Sequence, residues 1–164
     1  MRHVFFIVFF LPVVILSQCL EGDCQNGSGQ YKLKGGMYTG GFSDGNIHGE
    51  GSYVTKRGYS YMGQWINGIK EGFGKESFRK GSSYEGDFVN NHRNGYGEST
   101  LRDTKFMKDS YYEGQWFRGS ICGKGKLTYS REVKYGREKV IEKNHLIGDF
   151  INGVFQGRQT SAYS

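Results

Sequence analysis

Apolar and polar positions alternate with a period of two in short stretches that recur from residue 38 onward. Tyr61, Gly63 and Trp65 fall on one side of such a stretch and Met62, Gln64 and Ile66 on the other, as a half-buried β-strand requires. Asn67-Gly68 follows at once, as Asn152-Gly153 does later. Both residue types accept positive φ, so each pair predicts a tight hairpin turn. On the return strand Gly72, Gly74, Glu76 and Phe78 again share one side, matched by Tyr53 in one unit and by Leu127 with Tyr129 in another. The opposite side carries Lys75, Glu85, Asp87, Glu98, Glu113, Lys124 and Lys126, a solvated face. Each unit therefore reads as a β-hairpin.

The unit is a repeat. It opens Tyr38-x-Gly40-x-Phe42, Tyr61-x-Gly63-x-Trp65, Tyr84-x-Gly86-x-Phe88 and Tyr112-x-Gly114-x-Trp116, and closes Gly49-x-Gly51, Gly72-x-Gly74, Gly95-x-Gly97 and Gly123-x-Gly125. The tyrosines step by 23 residues, then by 28, then by 34 to Leu146, which stands in the tyrosine's place. Full repeats are expected over 38–55, 61–79, 84–101 and 112–129, with a half repeat over 24–33 and a degenerate last one over 146–157. Gln159 occupies the place of the final glycine, so strand pairing should stop near it. Glycine weakens a strand, and a ring laid across its bare backbone is the natural compensation. The expected fold is all-β: an open, single-layer antiparallel meander of hairpins.

Residues 61–74, YMGQWINGIKEGFG, and 112–125, YEGQWFRGSICGKG, closely resemble the MORN (membrane occupation and recognition nexus) repeat, whose pattern runs Y-x-G-x-W-x-x-G-x-x-x-G-x-G. The resemblance spans about residues 24–157, with Phe42 and Phe88 in place of tryptophan. It implies scaffolding, membrane association, or self-association through open sheet ends. Enzymes of the family carry a separate catalytic domain after the repeats, and here about seven residues follow Gly157, so a non-catalytic role is expected.

Composition agrees with a repeat that uses glycine and rings systematically: 27 glycines, 12 tyrosines and 12 phenylalanines among 164 residues. The first segment differs. The apolar run from Val4 to Leu16 is 13 residues, shorter than the roughly 17 to 25 of a spanning helix, and Pro12 interrupts it. Residues 1–17 read as a secretory signal peptide cleaved after Ser17, leaving a domain over 18–164. Lipidation of Cys19 and an uncleaved membrane anchor are the alternatives. Export permits disulfides, and Cys19 with Cys24 would close a small loop at the entry to the first half repeat, while Cys122 has no obvious partner.

No catalytic, metal or cofactor constellation is present in the sequence. His48 and His92 are read as turn residues, and His145 precedes the last unit. Charge is more informative. From Arg118 to Lys143, eight basic residues stand against three acidic ones, giving +5, which is the whole net charge left once Arg2 is removed with the signal peptide. That window holds the 34-residue spacing, and residues 129–146 alternate well enough to extend one hairpin, with Tyr135-Gly136 near its tip. Lys124, Lys126, Arg131, Lys134, Arg137, Lys139 and Lys143 are accordingly the candidate residues for an anionic partner. The expected function is that of an exported scaffold or interaction module that binds a protein or a membrane or envelope surface. Nucleic acid is disfavoured for an exported chain. The alternatives are a lectin-like, polysaccharide-binding envelope protein, its rings stacking on sugars, and a small envelope hydrolase.

Overall fold

The computed structural model describes residues 18–157. The expected signal peptide over 1–17 and the tail over 158–164 lie outside the described residues. Twelve strands follow one another: β1 (Cys19–Gly22), β2 (Ser28–Leu33), β3 (Gly36–Ser43), β4 (Asn46–Thr55), β5 (Ser60–Ile66), β6 (Ile69–Ser77), β7 (Ser83–Val89), β8 (His92–Thr100), β9 (Lys108–Phe117), β10 (Ser120–Tyr135), β11 (Glu138–Ile151) and β12 (Val154–Gln156). They form one open antiparallel sheet in which spatial order equals chain order. The hairpin meander expected from the alternation is the observed fold.

Register explains the glycines. Gly22, Gly29, Gly40, Gly51, Gly63, Gly74, Gly86, Gly97, Gly114, Gly125 and Gly148 pair in succession, so an unbroken glycine row crosses the sheet from β1 to β11. Onto this row lie Tyr38, Tyr61, Tyr84 and Tyr112, each with no exposed surface. A Cβ on Gly74 would stand 2.5 Å from the Tyr61 hydroxyl and 2.7 Å from its ring. Each hydroxyl donates to the carbonyl three residues on, as Tyr61 does to Gln64 at 3.1 Å and Tyr84 to Asp87 at 2.9 Å. The first glycine of each closing pair has another task. Gly72 adopts φ +66 where the β5–β6 register shifts, a left-handed bulge that glycine accepts without steric cost.

Between the tyrosines stand the rings from the third place of each motif. Tyr38–Trp65, Tyr61–Trp65, Tyr61–Phe88, Tyr84–Phe88, Tyr84–Trp116, Tyr112–Trp116 and Tyr112–Phe150 all meet edge to face, with centroids 4.9 to 5.6 Å apart. The Trp65 and Trp116 indoles donate to the Gly51 and Gly97 carbonyls, both at 3.2 Å. Where Leu146 replaces a tyrosine the series ends on Phe155, packed against Phe150. At the other end Cys19 and Cys24 form a disulfide, and the buried Cys24 sulfur lies against Gly29, the place a tyrosine hydroxyl holds in later units.

One edge of the sheet is made of two-residue tips with both φ values positive: Asp44-Gly45, Asn67-Gly68, Asn90-Asn91, Arg118-Gly119 and Asn152-Gly153. His48 and His92 are not turn residues. Such tips are so short that pairing resumes at once, which puts His48 in β4 and His92 in β8.

Gly74→Ala should lower stability by about 2 kcal/mol through overpacking against Tyr61, and Tyr61→Phe by about 1 kcal/mol through the lost hydrogen bond, both read from urea midpoints. A second expectation concerns alkali. Burial pushes the Tyr38 and Tyr112 hydroxyls up to about 12 and raises those of Tyr61 and Tyr84 too. Unfolded tyrosines ionise near pH 10, so above that pH the unfolded chain holds fewer protons than the folded one. The tyrosines should leave stability unchanged below about pH 10 and lower it steadily above, with tyrosinate absorbance appearing together with unfolding.

Candidate functional site

The 34-residue spacing is built as an arm. β10 and β11 stay paired from Gly123↔Phe150 out to Tyr135↔Glu138, and the turn is Gly136-Arg137. β9 begins at Lys108, opposite Ser130, so beyond that point the arm is a two-stranded ribbon. Alternation divides its residues between two faces. Leu127, Tyr129, Arg131, Val133 and Tyr135 continue the ring side of the sheet, whereas Lys126, Ser130, Glu132 and Lys134 continue the outer side.

The seven candidate cations separate accordingly. Arg131 lies on the ring side and is neutralised there: its guanidinium sits 2.9 Å from Glu142, whose other oxygen accepts a 2.6 Å hydrogen bond from Tyr135. The Tyr135 and Arg131 hydrogen bonds hold the Glu142 carboxyl below its ordinary pKa. Lys139 pairs with Glu132 at 2.9 Å on the outer side, where both are exposed. Lys124, Lys126, Lys134, Arg137 and Lys143 form no ion pair with any described residue. Lys126 stands opposite Ile147, which is 70% exposed, and Ile141, 62% exposed, lies between the rows of Lys143 and Lys139. The outer side of the arm and its base thus combines unpaired cations with exposed aliphatic side chains.

A second polar cluster sits in the sheet on the ring side. Glu76, 6% exposed, is held by Lys70 at 3.0 Å and by Arg93 at 3.2 Å. Lys70 also donates to the Tyr59 hydroxyl at 3.0 Å, and its ammonium lies 4.9 Å from the Phe88 ring centre and 5.0 Å from that of Tyr61. The Arg93 guanidinium covers Tyr84 at 4.8 Å and Trp116 at 5.2 Å. Sequence reasoning missed this triad, although a signal was present. Nine residues after the tyrosine the units carry Ile47, Lys70, Arg93 and Ile121, and fifteen after it Tyr53, Glu76, Ser99 and Leu127. The middle units therefore place Lys70, Arg93 and Glu76 where the outer ones place Ile, Tyr or Leu, with Ser99 neutral at the fourth such position. Among the described residues no group of three or more His, Cys, Asp or Glu is arranged to hold a metal ion.

Removing one member of a buried ion network leaves an uncompensated charge, whereas removing all of them need not cost stability. Glu76→Ala should therefore destabilise the protein by about 3 kcal/mol, while Lys70→Ile with Glu76→Leu and Arg93→Ile, the residues of the outer units, should be neutral or stabilising by about 1 kcal/mol. Urea midpoints of the two variants check this.

Comparison with curated proteins gives no match. A family model described as MORN repeat matches residues 38–58, 61–83, 84–103 and 112–131. These are the units whose tyrosines lie on the glycine row, and together they make up just over half of the chain. On that match, and on four such units in one sheet, the chain belongs to the MORN repeat family.

Proposed function

We propose that the protein is an exported, non-catalytic interaction module whose sheet acts as a scaffold and whose basic arm meets an anionic membrane or envelope surface. MORN repeats suggest a repeat-based binding or scaffolding module. The finer reading rests on one observation: on the outer side of β10 and β11 unpaired lysines alternate with exposed isoleucines. Paired charges such as Arg131 and Lys139 have little attraction left for a partner. Unpaired ones keep theirs, and the isoleucines can enter the headgroup region once the lysines hold the surface. The rest of the chain adds no such field, because from Gln18 onward, outside residues 118–143, it carries equal numbers of basic and acidic residues.

The experiment is sedimentation of the exported product with vesicles of phosphatidylcholine alone or with anionic phosphatidylglycerol, its intact mass reporting whether cleavage falls after Ser17. Binding should require the anionic lipid and weaken with salt. Each surface-facing lysine contributes about 1 kcal/mol, so reversing Lys124, Lys126 and Lys134 to Glu should lower partitioning by more than about 100-fold. Reversal of the paired Arg131 should change it far less. Binding indifferent to lipid charge or to the triple reversal would sink the reading.

A further inference from the structure

In the direction of its hydrogen bonds the sheet ends on β1 at one side and on β11 with β12 at the other, and the two ends are finished differently. β1 has four residues, a register shift between Cys19 and Glu21, and a disulfide that fastens it to the turn before β2. Short, bulged and tied strands of this kind keep a sheet end from pairing with another chain. The far end has no such device. β12 spans three residues and pairs only with Asp149, Phe150 and Ile151 of the fourteen in β11. From Lys139 to Ile147 no described strand lies on that flank, and the ladder to β10 runs through thirteen pairs without a register shift.

Which backbone groups face the open flank follows from the two turns that bound β11. A two-residue turn closes on a pair that exchanges both hydrogen bonds. Ile151 and Val154 close the Asn152-Gly153 tip, so Ile151 and Asp149 bond toward β12, whereas Tyr135 and Glu138 close the Gly136-Arg137 turn, so Glu138 bonds toward β10. With a period of two and no shift between the turns, the N–H and C=O of Lys139, Ile141, Lys143, His145 and Ile147 all aim outward.

The side chains beside this flank select what can pair with it. On the outer side Lys143 forms no ion pair with any described residue, and Ile141 and Ile147 are 62% and 70% exposed. On the ring side stand the exposed Val140 and the partly buried Leu146, with Glu142 already held by Arg131 and Tyr135. An added strand with acidic residues on the outer side and apolar ones on the ring side therefore meets complementary neighbours. A second copy of this chain does not. Centred on the open run, antiparallel pairing would set Lys143 against Lys143 and bring together two windows that each carry +5.

We propose that the open flank of β11, from Lys139 to Ile147, takes up an acidic, extended segment of another protein as a further antiparallel strand. The vesicle reading uses outer-side cations and no backbone group, so either can fail without the other.

Hydrogen exchange in the exported chain, followed residue by residue by NMR, tests this. In the chain alone the amides of Ile141, Lys143, His145 and Ile147 should exchange fast, and those of Glu142, Asn144 and Leu146 slowly. Protection of the first set without any ligand would mean that residues 158–164 or a second copy already hold the flank, which overturns the proposal. The probe is a peptide of alternating glutamate and valine, about nine residues long to match the open run. It should slow the fast set at least about ten-fold, and its lysine–valine counterpart should not. In antiparallel pairing the glutamate N–H groups meet β11 and the valine N–H groups point away. N-methylation of the glutamates should therefore abolish binding and N-methylation of the valines should spare it. Any other pattern, or equal binding of the lysine peptide, overturns the proposal. On the protein, Ile141→Pro removes one outward N–H that no described strand uses and should abolish binding, while the N-methyl series asks the same question of the unaltered chain. Lys143→Glu should weaken binding about ten-fold, and no loss there overturns the acidic assignment.

Discussion

A single sheet with solvent on both sides has no second layer to bury against, and everything in this protein follows from the one contact that replaces it: a tyrosine ring lying flat on a row of glycines. Across a strand pair the absence of two Cβ atoms opens a trough that an aromatic ring fills, and Gly74 shows how tight the fit is, since one methyl group there would collide with Tyr61. A buried aromatic removes roughly 150 to 250 Å² from water, a gross gain of about 4 to 6 kcal/mol. That offsets the entropy of fixing glycine in a strand. Neither partner suffices alone: glycine without the ring is a weak strand, and the ring without glycine has nowhere to lie. The same logic governs the ends, where a disulfide sulfur covers Gly29 and Phe155 succeeds the last rings.

Because each tyrosine touches the ring of its own unit and that of the next, the packing is shared between neighbours. The outcome is a stack of hairpins in which no unit holds its core alone. The charged triad fits this frame. Lys70 and Arg93 each lie over two members of the ring series, so the cations cover aromatic faces that a second layer would otherwise cover, and Glu76 balances part of their charge.

What the sequence made legible was what repeats. Tyr61-x-Gly63-x-Trp65 and Gly72-x-Gly74 gave strand, face and pairing, because period two and glycine spacing survive without tertiary information, and Asn67-Gly68 marked its own turn. Arg118-Gly119 was harder to see: arginine rarely adopts φ near +48, and only neighbouring units impose it. The triad could have been found by aligning the units against one another, since Glu76 was already on the ring side by parity; its salt bridges, however, join residues 6 and 17 positions apart on β6 and β8. On the arm, charge was legible and its neutralisation was not. Arg131 and Lys134 look equivalent in sequence, and only register brings Glu142 opposite one of them. The bulge at Asp109, where β9 shifts register against β10 and φ is +48, left no sequence signal beyond a spacing of 28 in place of 23.

Why both irregular spacings fall on the same edge has a physical answer. On the edge of two-residue tips each unit is bonded to the one before it: Gly45 donates to the Gln25 carbonyl, Gly68 to Ile47, Asn91 to Lys70, Gly119 to Arg93 and Gly153 to Ile121, at 2.8 to 3.0 Å. An inserted residue there would break a bond between repeats and a left-handed turn together. On the opposite edge the connections close on themselves, as Gly58 donates to Thr55, Gly81 to Phe78 and Thr104 to Met107. Added residues there disturb only their own loop, and loops so placed can lengthen at small entropic cost. The tip edge holds the stack in register, and the free edge is where this chain departs from its repeat. The arm and the loop over 101–107 stand together because that is the one side on which the ring-and-glycine stack leaves the sequence free to vary.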